Sequence, residues 1–124
     1  AYHFGVNPQA HPFVRQYALE SGYNQHFKTE ADVRRALSGY YGLVSYLDAN
    51  VGALLAALAE AGLCDDTRVM YTSDHGDNLG ARGLWGKSTM YEESAGVPMI
   101  LVGPGVAAGQ VLAEPTSVVR TRLV

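Results

Sequence analysis

The sequence predicts an α/β fold: a partial, mainly parallel sheet with one long helix packed on it. Three observations carry this prediction. An apolar stripe at helical spacing runs through residues 31–61, two short β-favouring runs sit at 68–72 and 97–102, and a long glycine-rich loop separates them. Helix, strand, loop, strand is the rhythm of an open α/β sheet. Two or three strands cannot cover their own faces and edges, so the chain reads as part of a domain.

Residues 1–30 are irregular and aromatic, broken by Gly5, Pro8, Pro12 and Gly22. A short helix is expected from Pro12, ending near Gly22, in a segment laid across a larger body. In residues 31–61, Val33, Leu37, Tyr40, Val44, Leu47, Val51, Leu54 and Leu58 recur at steps of four and three, one face of a helix. Thr29, Glu30 and Asp32 supply an N-cap and an acidic first turn, and Gly62 a stop. Tyr41, Leu43, Leu55 and Ala57 widen the stripe beyond a coiled-coil seam, which favours packing on a sheet. Tyr40, Tyr41 and Tyr46 are read as core or half-core residues.

Arg68 to Thr72 is the first strand, and Val97 to Val102 is a second, buried one with Pro98 at its start. Between them, Gly76, Gly80, Gly83 and Gly86 mark the loop. Thr89 and Glu92 have the spacing of a capping box for a helix over about 89–94. A further strand is expected near Val118.

Composition narrows the class. Nine Lys and Arg against 12 Asp and Glu give a net charge of −3, which argues against a nucleic-acid partner. A hydrophobic share of 48% with 17% charged residues supports a real core. One cysteine, Cys64, excludes an internal disulfide and a multi-Cys zinc site. No apolar run approaches the roughly 18–20 residues of a membrane span, and the first residues lack the basic start and apolar stretch of a secretory signal. Without a disulfide or a glycosylation sequon the chain leans toward the cytoplasm, with the compartment left open.

The chemistry concentrates in Tyr71-Thr72-Ser73-Asp74-His75-Gly76-Asp77-Asn78. Asp74 and His75 stand where a strand runs out, the place where open α/β sheets bind ligands. A carboxylate and a neutral imidazole suit a divalent cation such as Mn²⁺ or Zn²⁺, whereas Ca²⁺ prefers oxygen alone. Both reach one point only if the backbone turns, a role assigned to Gly76. The bland alternative is a surface Asx-type turn. Lys87, on a glycine-flexed loop beside Trp85, offers a point charge to an anionic oxygen, or is simply a solvated lysine. Cys64 lies beside Asp65 and Asp66, a poor setting for a thiolate nucleophile. His3, His11 and His26 read as packing or surface residues, with His11 the most suggestive of a pocket. Glu92 and Glu93 read as first-turn helix charges.

In order, these features resemble the sulfatase family of the alkaline-phosphatase-like superfamily, over about residues 35–105. The matching segments run from Tyr40 to Gly52, Gly62 to Thr67, Tyr71 to Gly76, Gly83 to Ser94 and Val97 to Gly105. The resemblance implies that residues 1–124 are an incomplete catalytic domain, its C-terminal part, of a metal-dependent sulfuric ester hydrolase. It implies Asp74 and His75 as ligands of one divalent ion, Ca²⁺ or Mn²⁺, and Lys87 as a catalytic, substrate-binding contact to sulfate oxygens. The Asp-His pair leans toward the choline-sulfatase and phosphonate-monoesterase-like branch. The family's nucleophile is a formylglycine made within a Cys/Ser-x-Pro-x-Arg motif that these residues lack, so the isolated chain is expected to be inactive. A small sulfate or phosphonate ester is the implied partner, with no nucleic acid or membrane and a homo-oligomer open. A phosphonate or phosphodiester hydrolase, or a non-catalytic α/β binding module, are the competing readings.

Overall fold

The computed structural model describes residues 9–114 and 116–117. The expectations for His3 and for a strand near Val118 lie outside the described residues. Along the chain run helix α1 (Pro12–Glu20), helix α2 (Glu30–Glu60), strand β1 (Val69–Thr72), helix α3 (Glu92–Ala95) and strand β2 (Met99–Val102). Short 3₁₀ turns at Tyr23–Gln25 and Cys64–Asp66 join them.

Helix α1 starts on Pro12, whose missing N–H costs nothing in a first turn. His11 caps it, its Nδ1 accepting from the Phe13 amide at 3.2 Å, so this histidine is a structural cap. The inner face of α1 presents Val14 and Ala18, which pack with Leu84 into a small buried cluster.

Helix α2 begins as the sequence predicts. The Thr29 hydroxyl accepts from the Asp32 amide, and Asp32 Oδ2 accepts from the Thr29 amide at 2.9 Å, a reciprocal capping box. The Thr29 side chain and backbone hold the Asp32 carboxyl below its ordinary range. At the other end Gly62 adopts a left-handed φ of 68° just past the cap. The apolar stripe, however, is not packed. Val33 is the buried residue of α2, while Leu43 and Tyr46 are 67% and 69% exposed, and Tyr40 and Tyr41 are exposed as well. Among the described residues no strand or other helix packs extensively along it. The expectation of a helix covered by the sheet, with core tyrosines, is therefore corrected. The two strands of four residues offer too little surface to cover a helix of 31 residues. An 18-residue window of α2 has a mean hydropathy of 1.5, long and apolar enough by composition to cross a membrane. The expectation that no apolar stretch approaches that length is corrected, because glycines and a few polar residues interrupt the run but leave its mean at that value; a core helix of a larger domain has the same composition.

The sheet also departs from expectation. Strands β1 and β2 pair antiparallel, Val69 opposite Val102 and Thr72 opposite Met99. A parallel pair needs a crossover that carries the chain back along the sheet, usually a helix of a dozen residues or so. Here the connection is a loop plus α3, four residues long, and it returns the chain at the end where β1 stopped. The strands are not buried among the described residues either, since Met70, Tyr71, Ile100, Leu101 and Val102 are exposed. Pro98 does precede β2, as a residue without an amide donor should. The capping box proposed for 89–94 is absent. Tyr91 precedes α3 without a side-chain cap, and the Thr89 hydroxyl is used elsewhere.

Thr29→Ala is expected to cost about 1 kcal/mol at the start of α2, read as faster amide exchange at Asp32 and Val33. Because the Asp32 pKa is lowered in the fold, its contribution is present above the ordinary aspartate value and lost as pH falls through the lowered one. In Thr29→Ala that acid sensitivity should shrink.

Candidate functional site

Strand β1 ends at Thr72 and the chain turns through Ser73, Asp74 and His75. The Ser73 hydroxyl donates to the His75 carbonyl at 2.8 Å, which tightens the turn. Asp74 Oδ2 then lies 3.6 Å from His75 Nε2, so the two side chains share one side of the chain. The Asp74 side chain is 84% exposed and that of His75 38%.

Gly76 does something other than the turn assigned to it from the sequence. Its amide donates to the Ser94 carbonyl at 2.8 Å, and a Cβ at this position would collide with the Glu93 carbonyl oxygen. The glycine is needed for close approach of two backbones, which docks the end of β1 against α3.

Lys87 meets this group from the loop. Its Nζ lies 2.6 Å from His75 Nε2, and His75 Nδ1 lies 2.9 Å from the Gly76 carbonyl. An ammonium only donates, so Nε2 accepts, and Nδ1 carries the proton and donates to Gly76. His75 thus lies between the two others, with Asp74 on one side and Lys87 on the other. The turn after β1 and a loop residue twelve positions beyond His75 supply them.

Several residues that sequence reasoning missed hold the loop. Asn78, 1% exposed, donates from its amide and from Nδ2 to the Gly86 carbonyl at 2.9 and 2.6 Å. Its Oδ1 accepts from the Thr89 hydroxyl at 3.2 Å. The Lys87 carbonyl accepts from the Thr89 amide at 2.8 Å and from the Ser94 hydroxyl. Leu84 is buried against α1, and the Tyr17 hydroxyl donates to the Trp85 carbonyl at 3.3 Å. Trp85 is buried and stacks on Phe27, centroids 3.9 Å apart, so its ring is committed to packing. Gly86 has φ of 76°, and a Cβ there would crowd the Tyr23 ring and the Tyr17 hydroxyl. Arg82 has a left-handed φ of 56°, a conformation costing on the order of 1–3 kcal/mol. Its guanidinium bonds the Glu93 carboxylate at 2.6 Å and sits 4.3 Å from the Tyr91 ring centroid. That hydrogen bond holds the Glu93 carboxyl below its ordinary range. Glu93 is therefore more than a first-turn charge. The available sequence signal was the run of polar residues inside an otherwise apolar, glycine-rich stretch, each needing a partner once buried.

Cys64 is exposed in its 3₁₀ turn and has no part in the cluster, and His26 is exposed as well. As a cation site, Asp74 and His75 fit by donor type, one oxygen and one imidazole nitrogen at the spacing of neighbouring ligands. They form an incomplete set. No cluster of three or more His, Cys, Asp or Glu occurs among the described residues, and Lys87 holds the Nε2 lone pair that a cation would need.

Gly76→Ala is expected to destabilise the chain by about 1–3 kcal/mol, measured by denaturant unfolding, because the added methyl separates β1 from α3.

The model of the family described as Sulfatase matches residues 6–121. Among curated proteins, choline-sulfatase of Rhizobium meliloti (strain 1021) is 43% identical over 106 residues, 86% of this chain and 20% of the relative. Arylsulfatase K of Danio rerio is 34% identical over 109 residues, 88% of this chain and 21% of the relative. Iduronate 2-sulfatase of Homo sapiens is 41% identical over 75 residues, 60% and 14% respectively. The chain spans about a fifth of the length of the first two relatives.

Proposed function

The chain belongs to the sulfatase family, and we propose that it is the C-terminal part of the catalytic domain of a metal-dependent sulfuric ester hydrolase. The observation that carries this reading is the row of contacts where β1 ends, with His75 Nε2 3.6 Å from Asp74 Oδ2 and 2.6 Å from Lys87 Nζ. A carboxylate, an imidazole and an ammonium on one exposed point make a site for a cation and an anion together.

In this reading Asp74 and His75 hold one divalent ion, Ca²⁺ or Mn²⁺, and Lys87 binds the sulfate oxygens. When bound, the ion supplies positive charge against the non-bridging oxygens of the ester. Lys87 adds a mobile ammonium to the same face, stabilising charge that grows as the S–O bond breaks. Lys87 would have to leave Nε2 of His75 for that nitrogen to take an ion, and a sulfate would then offer the lysine's proton donors a charged acceptor. The Nδ1–H bond to Gly76 keeps the imidazole oriented with Nε2 free to coordinate. The formylglycine nucleophile and the remaining ligands belong to residues outside this chain. The substrate is a small sulfate ester, and neither nucleic acid nor membrane enters the reaction.

In the full-length protein that contains these residues, Asp74→Ala is expected to lower bound divalent metal by elemental analysis. Unchanged metal content would favour a non-catalytic module. Lys87→Ala should reduce turnover of aryl sulfates by about 10²-fold or more, in line with removal of one charge-stabilising donor. A parent enzyme that hydrolyses aryl phosphonates well and aryl sulfates poorly would replace sulfur by phosphorus as the reacting centre.

A further inference from the structure

We propose that Asn78 is a positioning residue for Lys87, and that its carboxamide sets the reach of the ammonium toward the anionic group of the substrate. The proposal rests on the reading of Lys87 as the anion contact.

Asn78 is buried to 1% exposure, and both ends of its side chain are in use. Nδ2 donates to the carbonyl of Gly86, the residue before Lys87, and Oδ1 accepts from the hydroxyl of Thr89, two residues after it. One planar group therefore brackets the segment that presents the ammonium. Asn78 also follows His75 by three residues, on a stretch anchored to α3 through the Gly76 amide. It couples the imidazole segment to the ammonium segment, whose Nζ lies 2.6 Å from Nε2.

The chemistry requires a carboxamide. The bracket needs a donor toward Gly86 and an acceptor toward Thr89 on one short side chain. Aspartate has no donor and would oppose a carbonyl with a carboxylate, and a hydrocarbon has neither function. Other contacts hold the loop as a whole: Leu84 against Val14 and Ala18, Trp85 on Phe27, and Arg82 on Glu93. Removing the carboxamide leaves those in place. The change falls on residues 86–89, and so on Lys87.

The test uses the full-length, metal-loaded protein that contains these residues, with an aryl sulfate as substrate. Asn78→Ala should lower kcat about 10–100-fold, the scale of a misplaced catalytic group, with metal content unchanged. In a Lys87→Ala background the same substitution should have no further effect on kcat, because it acts through that lysine. Thr89→Val should reproduce part of the loss, and Thr89→Ser, which keeps the hydroxyl, should restore it. An unchanged kcat in Asn78→Ala, or an equal loss with Lys87 already removed, overturns the proposal. Should Asn78→Ala not fold, the Thr89 pair decides, and full activity in Thr89→Val overturns it. If Lys87→Ala itself retains activity, the reading of the site fails, and the proposal fails with it.

Discussion

The site depends on one close contact between backbones. Gly76 lies against the Glu93 carbonyl, and its amide bonds the Ser94 carbonyl. Those contacts dock the end of β1, with Asp74 and His75, onto the short helix at the far end of the loop. Once the two ends are joined, the loop between them closes on itself, and Ser94 and Thr89 both reach the Lys87 carbonyl. The hydrogen bonds of Asn78 have a defined partner only because this closure exists. A side chain at 76 would separate the carboxylate and imidazole from the ammonium without touching any of them.

The electrostatics of the cluster follow from the same closure. Lys87 is held near Asp74 and His75, a cation beside an anion and a neutral base. All three are solvent-accessible, so their mutual attraction is screened and contributes little to stability. That weakness suits the role proposed for Lys87. A lysine locked in a buried ion pair could not transfer its donors to an arriving anion, whereas a half-exposed hydrogen bond to a neutral imidazole is easily exchanged. The backbone at Lys87 is tied by hydrogen bonds to its carbonyl, and its exposed ammonium is held by His75.

Much of this was legible in the residues. The N-cap and acidic first turn of α2, the glycine stop, the proline before β2 and the placement of Asp74 and His75 at a strand end all follow from local chemistry, and local chemistry acts over a few residues. The antiparallel pairing of β1 with β2 was not legible, because strand direction depends on how a connection of 26 residues folds, and apolar periodicity carries no such information. Thr89 illustrates the same limit. Its spacing to Glu92 matches a capping box, but Asn78, distant in sequence and adjacent in space, competes for the hydroxyl and wins. Gly76 was correctly singled out and wrongly explained, since a turn and a close approach of backbones both demand glycine. Asn78 itself looked like one polar residue among several, and only its burial separates it from them.

The contrast between the loop and the rest of the chain bears on how the site is built. The loop is closed by hydrogen bonds and a few apolar anchors, with Leu84, Trp85, Asn78, Thr89 and Ser94 all buried. The long helix and the strand pair instead leave Leu43, Leu47, Leu54, Ile100 and Val102 open to solvent. Apolar surface on that scale is covered in a stable protein, and where the match takes up only about a fifth of the curated relatives there is chain enough to cover it. The two parts therefore answer to different forces. Helix and sheet supply surfaces that gain their stabilisation from burial against other parts of the fold, while the loop obtains its geometry from its own backbone. A site assembled this way keeps the spacing of Asp74, His75 and Lys87 independent of the fine packing of the helix, so substitutions along the α2 stripe, like one at Gly76, should act on stability, and those at 78 and 89 on the placement of Lys87.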